Sequence, residues 1–144
     1  MDYISLGYFG IFLAAFLAAT ILPAPSEIII LLAFQANFTV EYVILFATLG
    51  NSFGSFTNYY IGRFGIQLFN AKNNAFKENR KQYWIQKSNK YGYWLGFLAW
   101  VPIVGDPLII LLGVLKINYK PLFVTITFGK LIRYLILSWI YFLN

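Results

Sequence analysis

Long apolar runs in this 144-residue chain are broken twice by a proline-bearing turn that also carries an acid. The first break is Leu22-Pro23-Ala24-Pro25-Ser26-Glu27, and the second is Pro102-Ile103-Val104-Gly105-Asp106-Pro107. Proline lacks a backbone donor and disfavours helix in the residue before it, so Pro23 and Pro25 end a helix, as do Pro102 and Pro107 with Gly105 between them. With 60% hydrophobic and 11% charged residues and a mean hydropathy of +0.66, the chain is too apolar for a soluble domain, which carries about 25% charged residues. It reads as an all-α polytopic membrane protein. In lipid, a broken helix is tolerated only where protein or a wet cavity covers it, and an ionisable residue there marks a functional site.

The segments between the breaks set the architecture. Ile4–Leu22 is apolar, with Gly7, Gly10, Ala14 and Ala18 at helical spacing, a pattern that admits a close neighbouring helix. Met1-Asp2-Tyr3 lacks the basic start of a signal peptide, so Ile4–Leu22 is read as mature structure. Ile28–Ala36 rises only about 14 Å as a helix, far short of a hydrocarbon core of about 30 Å. The expectation is therefore a re-entrant hairpin over Ile4–Ala36, with one long bent crossing as the alternative. After the polar turn Asn37–Glu41, Tyr42–Ile61 is long enough to cross, and Arg63 is expected to close it at the surface. Asn51, Gly54, Ser55 and Asn58 share one face of that helix and should meet protein or water.

Gly65–Lys90 holds six Lys and Arg residues against Glu78 alone. Phe69, Phe76, Tyr83 and Trp84 punctuate it, which predicts an amphipathic helix on the cytoplasmic surface, drawn to anionic lipid. Tyr91–Val101 and Leu108–Leu115 are again too short to span and flank the second break. Leu122–Leu143 crosses, with Lys130 and Arg133 sharing one face inside it. Two cations at that depth need partners, and Glu27 and Asp106 are the carboxylates placed to serve.

A shift of 79 residues lays Pro23 on Pro102, Glu27 on Asp106 and Gly50 on Gly129. One membrane domain over 1–144 is thus expected, with a first repeat at about 4–63, the basic loop 65–90, and a second repeat at 91–143. With that loop inside, the halves have opposite orientation: two opposed re-entrant hairpins in an inverted repeat, the plan of many transporters.

These residues resemble the DedA family of SNARE-associated, VTT-domain membrane proteins, most nearly its short YqaA-like branch. The resemblance rests on Leu22–Glu27, Ala47–Gly54 with Thr57–Arg63, Trp100–Pro107, and Gly129–Tyr134. It implies a bacterial inner-membrane location and a role in moving lipids or lipid-linked carriers, in parts of the family coupled to the proton gradient. It also implies a functional role for the first-hairpin acid, here Glu27. Better-known members carry arginines three residues before and three after the second-hairpin proline; here Ala99 and Gly105 stand there.

The candidate transport site is Glu27, Asp106, Lys130, Arg133, Asn51 and Asn58, handling a proton or an anionic headgroup. Three functions fit it: a lipid or polyprenyl-phosphate translocase, a proton-coupled small-ion transporter, and a non-transporting assembly factor. Cysteine and histidine are absent, which removes thiolate and imidazole ligands and nucleophile–base pairs. No enzyme, cofactor or metal is expected. The expected partners are anionic membrane lipids and no nucleic acid; a homo-oligomer is compatible with the sequence.

Overall fold

A computed structural model describes residues 3–20, 26–70, 86 and 90–143, and among these the chain forms helices and turns with no strand. Pro23 and Pro25, and most of the basic stretch, lie outside the described residues.

Helix α1 spans Tyr3–Thr20. Asn58 Nδ2 holds its last turn by donating to the Ala19 carbonyl at 2.7 Å, and Thr20 Oγ1 bonds back to the Phe16 carbonyl at 3.0 Å. α2, Ser26–Gln35, carries Glu27 in its first turn, where the helix dipole favours an anion. α3 runs over Val40–Asn70. It passes Arg63, where the sequence suggested a stop: neither proline nor a left-handed residue ends it there. Arg63 instead donates to the Tyr59 hydroxyl at 2.7 Å.

The second half begins with a 3-10 helix, Gly92–Trp100, unusually long for its type. The break itself is Val101–Val104; exposed Ile103 sits there with φ 69. α4, Gly105–Val114, has Asp106 in its first turn. Gly105 and Pro107 are therefore already helical, Pro107 in a first turn where its missing N–H is not needed. α5, Tyr119–Leu143, is the one helix among the described residues both long and apolar enough to cross a membrane. α3 has the length, but its polar middle is buried in the protein. α2 and α4, at ten residues each, reach about 15 Å and span nothing alone.

α2 and α4 end alike. The Phe38 N–H donates to the Ala33 carbonyl and the Asn37 N–H to that of Phe34; 79 residues on, Ile117 donates to Leu112 and Lys116 to Gly113. Asn37 and Lys116 both turn left-handed, at φ 60 and 54, completing the same C-terminal motif. Asparagine tolerates that conformation better than lysine does. The first helices also meet these ends alike: a Cβ on Gly7 would lie 2.6 Å from the Phe38 ring, and one on Gly92 would lie 2.5 Å from Ile117.

Glycine sets the close helix crossings. The small residues that the sequence pointed to on α1 take part unequally: Gly10 faces open space, while Gly7 is covered by the Phe38 ring and Ala18 is buried. On α3, a Cβ on Gly50 would overlap the Phe12 carbonyl and one on Gly54 would lie 2.5 Å from the Ala19 Cβ. α3 and α4 meet still more closely, since a Cβ on Gly62 would overlap the Ile110 carbonyl and one on Gly113 that of Tyr59. The 3-10 helix lies on α5 where Thr125 Oγ1 donates to the Tyr93 carbonyl at 2.7 Å. Two core clusters result, one around Ile30, Val43 and Tyr134, the other around Tyr59, Ile109 and Leu122. Outside them, Phe9, Phe53, Phe128, Ile132 and Trp139 are exposed, an apolar girdle that only lipid covers without cost.

Gly113→Leu should lower stability by about 1–3 kcal/mol or more, because the side chain must push two backbones apart. Gly10→Ala, with free space around it, should be neutral or slightly stabilising. Unfolding in mixed micelles of increasing dodecyl sulfate would test this, and equal effects at the two sites would refute the packing argument.

Candidate functional site

Lys130 lies in the middle of α5 with only 1% of its surface exposed. Its ammonium has three donors and all three are used. One reaches Asp106 Oδ1 at 3.2 Å, one the Asn51 carbonyl at 3.0 Å, and one the Asn51 side-chain oxygen. Asp106 Oδ1 also accepts from Ser55 Oγ at 3.0 Å. An isolated ammonium in such a place is prohibitively costly, whereas a paired and fully bonded one is tolerated. Lys130 thus ties α5 to α3 and to the first turn of α4.

One turn further along α5, Arg133 pairs with Glu27 at the start of α2. Exposure is shared more evenly in this pair, at 15% and 22% for the two side chains against 2% and 37% for Lys130 and Asp106. The pair is less complete, since Arg133 Nε and Glu27 Oε2 are buried without a hydrogen-bond partner. Beside it the Tyr134 hydroxyl donates to Ser26 Oγ at 2.9 Å. Each short helix therefore begins with an acid that meets a cation of α5. The two pairs differ in kind: the Lys130 ammonium has every donor used, whereas the Arg133–Glu27 pair keeps buried atoms with bonds still to make.

The structure brings Glu27, Asp106, Lys130, Arg133 and Asn51 together around α5. Asn58 lies apart, pinning the end of α1. Of the breaks, Pro102 is in the turn, Gly105 and Pro107 open α4, and Pro23 and Pro25 are outside the described residues. The candidate transport site read from the sequence did not include Ser26, Ser55 or Tyr134. The sequence did hold a signal for each: Ser26 adjoins Glu27, Ser55 lies on the polar face of α3, and Tyr134 follows Arg133 in mid-span. Thr48 and Ser52 add two buried hydroxyls without a partner on α3.

The VTT domain matches residues 22–142. The chain belongs to the VTT-domain family, the DedA family. This VTT-domain protein is 33% identical over 131 residues to the inner membrane protein YqaA of Escherichia coli, covering 90% of this chain and 87% of the relative. It is 37% identical over 134 residues to an uncharacterized protein of Haemophilus influenzae, covering 88% and 82%. No solved structure matches it. It is a protein of the bacterial inner membrane.

Burial predicts unequal effects at the Lys130–Asp106 pair. Asp106→Leu strands a fully buried cation and should cost about 3–5 kcal/mol. Lys130→Leu leaves an acid whose side chain is 37% exposed and which keeps Ser55, so it should cost clearly less. The double variant should recover part of the Asp106→Leu loss. The same micelle unfolding measures all three, and a Lys130→Leu loss equal to that of Asp106→Leu would contradict this account.

Proposed function

We propose that this VTT-domain protein moves the anionic headgroup of a phospholipid or lipid-linked phosphate across the inner membrane, with Arg133 as the binding cation and Glu27 as the group it exchanges against. The observation that carries this reading is the incomplete ion pair. Guanidinium is suited to phosphate because it offers several donors in one plane, and here Nε is left without a partner beside a carboxylate that a phosphate can displace. Glu27, released from Arg133, is the group on which a proton could travel, linking headgroup movement to the proton gradient. Lys130, buried with all three donors used, serves with Asp106 to hold the bundle at that site.

We further read α1–α2 and the 3-10 helix with α4 as two opposed re-entrant hairpins within a single inverted-repeat domain. The ten-residue lengths of α2 and α4 and their like ends 79 residues apart support this reading. It also has a chemical consequence, because inverted halves bring both acids to the middle of the membrane. A proton-coupled small-ion transporter would use the same residues without needing lipid.

In liposomes, wild-type protein should speed the movement of a fluorescent phosphatidylglycerol between leaflets, and Glu27→Gln and Arg133→Gln should each lower the rate at least tenfold. Both comparisons are made per molecule, at matched membrane levels. A wild-type rate no better than empty liposomes would end the lipid reading. Full rate per molecule in Glu27→Gln would remove the carboxylate from the mechanism.

The inverted arrangement has its own test. The chain lacks native cysteine, so single cysteines at the exposed positions Asn37 and Asn118 report sidedness cleanly. An impermeant thiol reagent applied to intact cells should label position 37 and not 118. Labelling of both from outside would rule out opposite orientation.

A further inference from the structure

Two seams in this molecule correspond under the 79-residue shift, yet they are built from opposite materials. In both, a short helix lies along a long one. α4 follows α3, with Asp106 beside Ser55 and Gly113 beside Tyr59. α2 follows α5, with Glu27 beside Arg133 and Phe34 beside Tyr141. Gly113 of the first seam corresponds to Phe34 of the second, and Gly62 corresponds to Tyr141. At the glycine pair the backbones of α3 and α4 touch. At the aromatic pair the rings of Phe34 and Tyr141 stand between the helices, centroids 5.3 Å apart, with Phe142 at 5.7 Å on the outer side. Phe34 is buried while Phe142 is exposed, so the rings run from the protein interior to the lipid-facing surface.

The difference decides which seam can part. A backbone-to-backbone contact sealed by glycine has no side chain to rotate and opens only by moving whole helices. A seam filled by rings opens when side chains change rotamer, at nanosecond cost where they are exposed. Phe34 lies seven residues beyond Glu27 and Tyr141 eight beyond Arg133, so the rings stand about 11 Å along the seam from the incomplete ion pair. The unfilled bonds and the movable seam are thus on the same side of the molecule. Lys130, with no donor left over, meets Asp106 at the sealed one.

We propose that an anionic lipid headgroup reaches Arg133 sideways from the bilayer, between α2 and α5, with Phe34, Tyr141 and Phe142 as the parting element and the α3–α4 seam permanently shut. This assignment deepens the reading of Arg133 as the headgroup cation and rests on it. The entrance takes a phosphate-bearing headgroup whose tails remain in lipid, because the seam opens onto the apolar girdle.

The test uses phosphatidylglycerol carrying a photoactivatable diazirine on its headgroup, in phosphatidylcholine vesicles containing the full chain. After illumination, adducts should map to α2 and α5 around Phe34 and Tyr141. Excess unlabelled phosphatidylglycerol should compete for them, and excess phosphatidylcholine should not. In a Phe34→Cys/Tyr141→Cys variant, bridging the thiols with a short reducible bis-thiosulfonate should cut labelling at Arg133 and its neighbours at least fivefold, and reduction should restore it. Adducts at the α3–α4 seam, or labelling unchanged by the bridge, would overturn the proposal. If the double variant fails to accumulate, the wild-type adduct map alone decides. Labelling does not require transport. Adducts on α2 and α5 in a protein that moves no lipid would therefore sink the transport reading and keep the entrance, while transport with adducts elsewhere would do the reverse.

Discussion

The bundle depends on a cation placed where a cation is least welcome. Lys130 is buried in a membrane helix, and its three protons fix three things at once: the position of Asp106, the register of Asn51 on α3, and the rotation of α5. Hydrocarbon packing cannot do this, because lipid tails compete equally for every apolar face and leave helices free to slide or turn. Directional bonds to a charge that has no alternative partner remove that freedom. Because Asp106 opens α4, the same bonds also place the second short helix. The tight α3–α4 crossing at Gly62 and Gly113 then follows, since Ser55 and Asp106 have already brought the two helices into line.

The ion pair of the first half is less completely bonded, and the reason is chemical. Guanidinium spreads its charge over a plane and offers more donors than one carboxylate can fill, so the Glu27–Arg133 pair leaves Nε and Oε2 unbonded. Tyr134 bonds Ser26 rather than the acid beside it. The corresponding contact in the other half, Ser55 to Asp106, goes to the carboxylate itself. The two sites thus differ in their cation and in the hydroxyl beside the acid, and only the Arg133–Glu27 pair keeps buried atoms without a partner.

Much of this was legible in the sequence, and the physics explains which parts were. Helix positions followed from apolar runs and prolines, so α1, α2, α4 and α5 fall close to their expected bounds. Depth alone showed that Lys130 and Arg133 need carboxylates. Which acid serves which cation was not legible, because that depends on how short helices lie against long ones, and spacing along the chain says nothing about it. The end of α3 was misjudged because Arg63 was read as a stop, when the helix runs on to Asn70 and Arg63 donates to the Tyr59 hydroxyl one turn back. The small residues of α1 do meet α3, with Ala19 against Gly54, but the closest approach is set by Gly50 over the Phe12 carbonyl, where the missing side chain is on α3. Asn58 looked like a site residue because it shares a face with Asn51, but two turns along a helix is about 10 Å, enough to move it from the ion pair to the end of α1.

The two positions where better-known family members carry arginine show that the difference is built into the packing. Ala99 is buried, and a Cβ on Gly105 would lie 2.6 Å from the Ala99 carbonyl. The end of the 3-10 helix and the start of α4 therefore close directly onto each other, with no room for even one added carbon at position 105, still less a guanidinium. The turn between them is correspondingly short, with Val104 N–H bonding the Pro102 carbonyl at 2.7 Å and Gly105 N–H that of Val101 at 3.0 Å. An arginine at either place would need this closure to be undone, and with it the setting of Asp106 in the next residue, on which Lys130 depends. On the proposed headgroup reading, positive charge would then come from a helix that does not take part in the closure. α5 is that helix, and Arg133 is its cation with a donor left over.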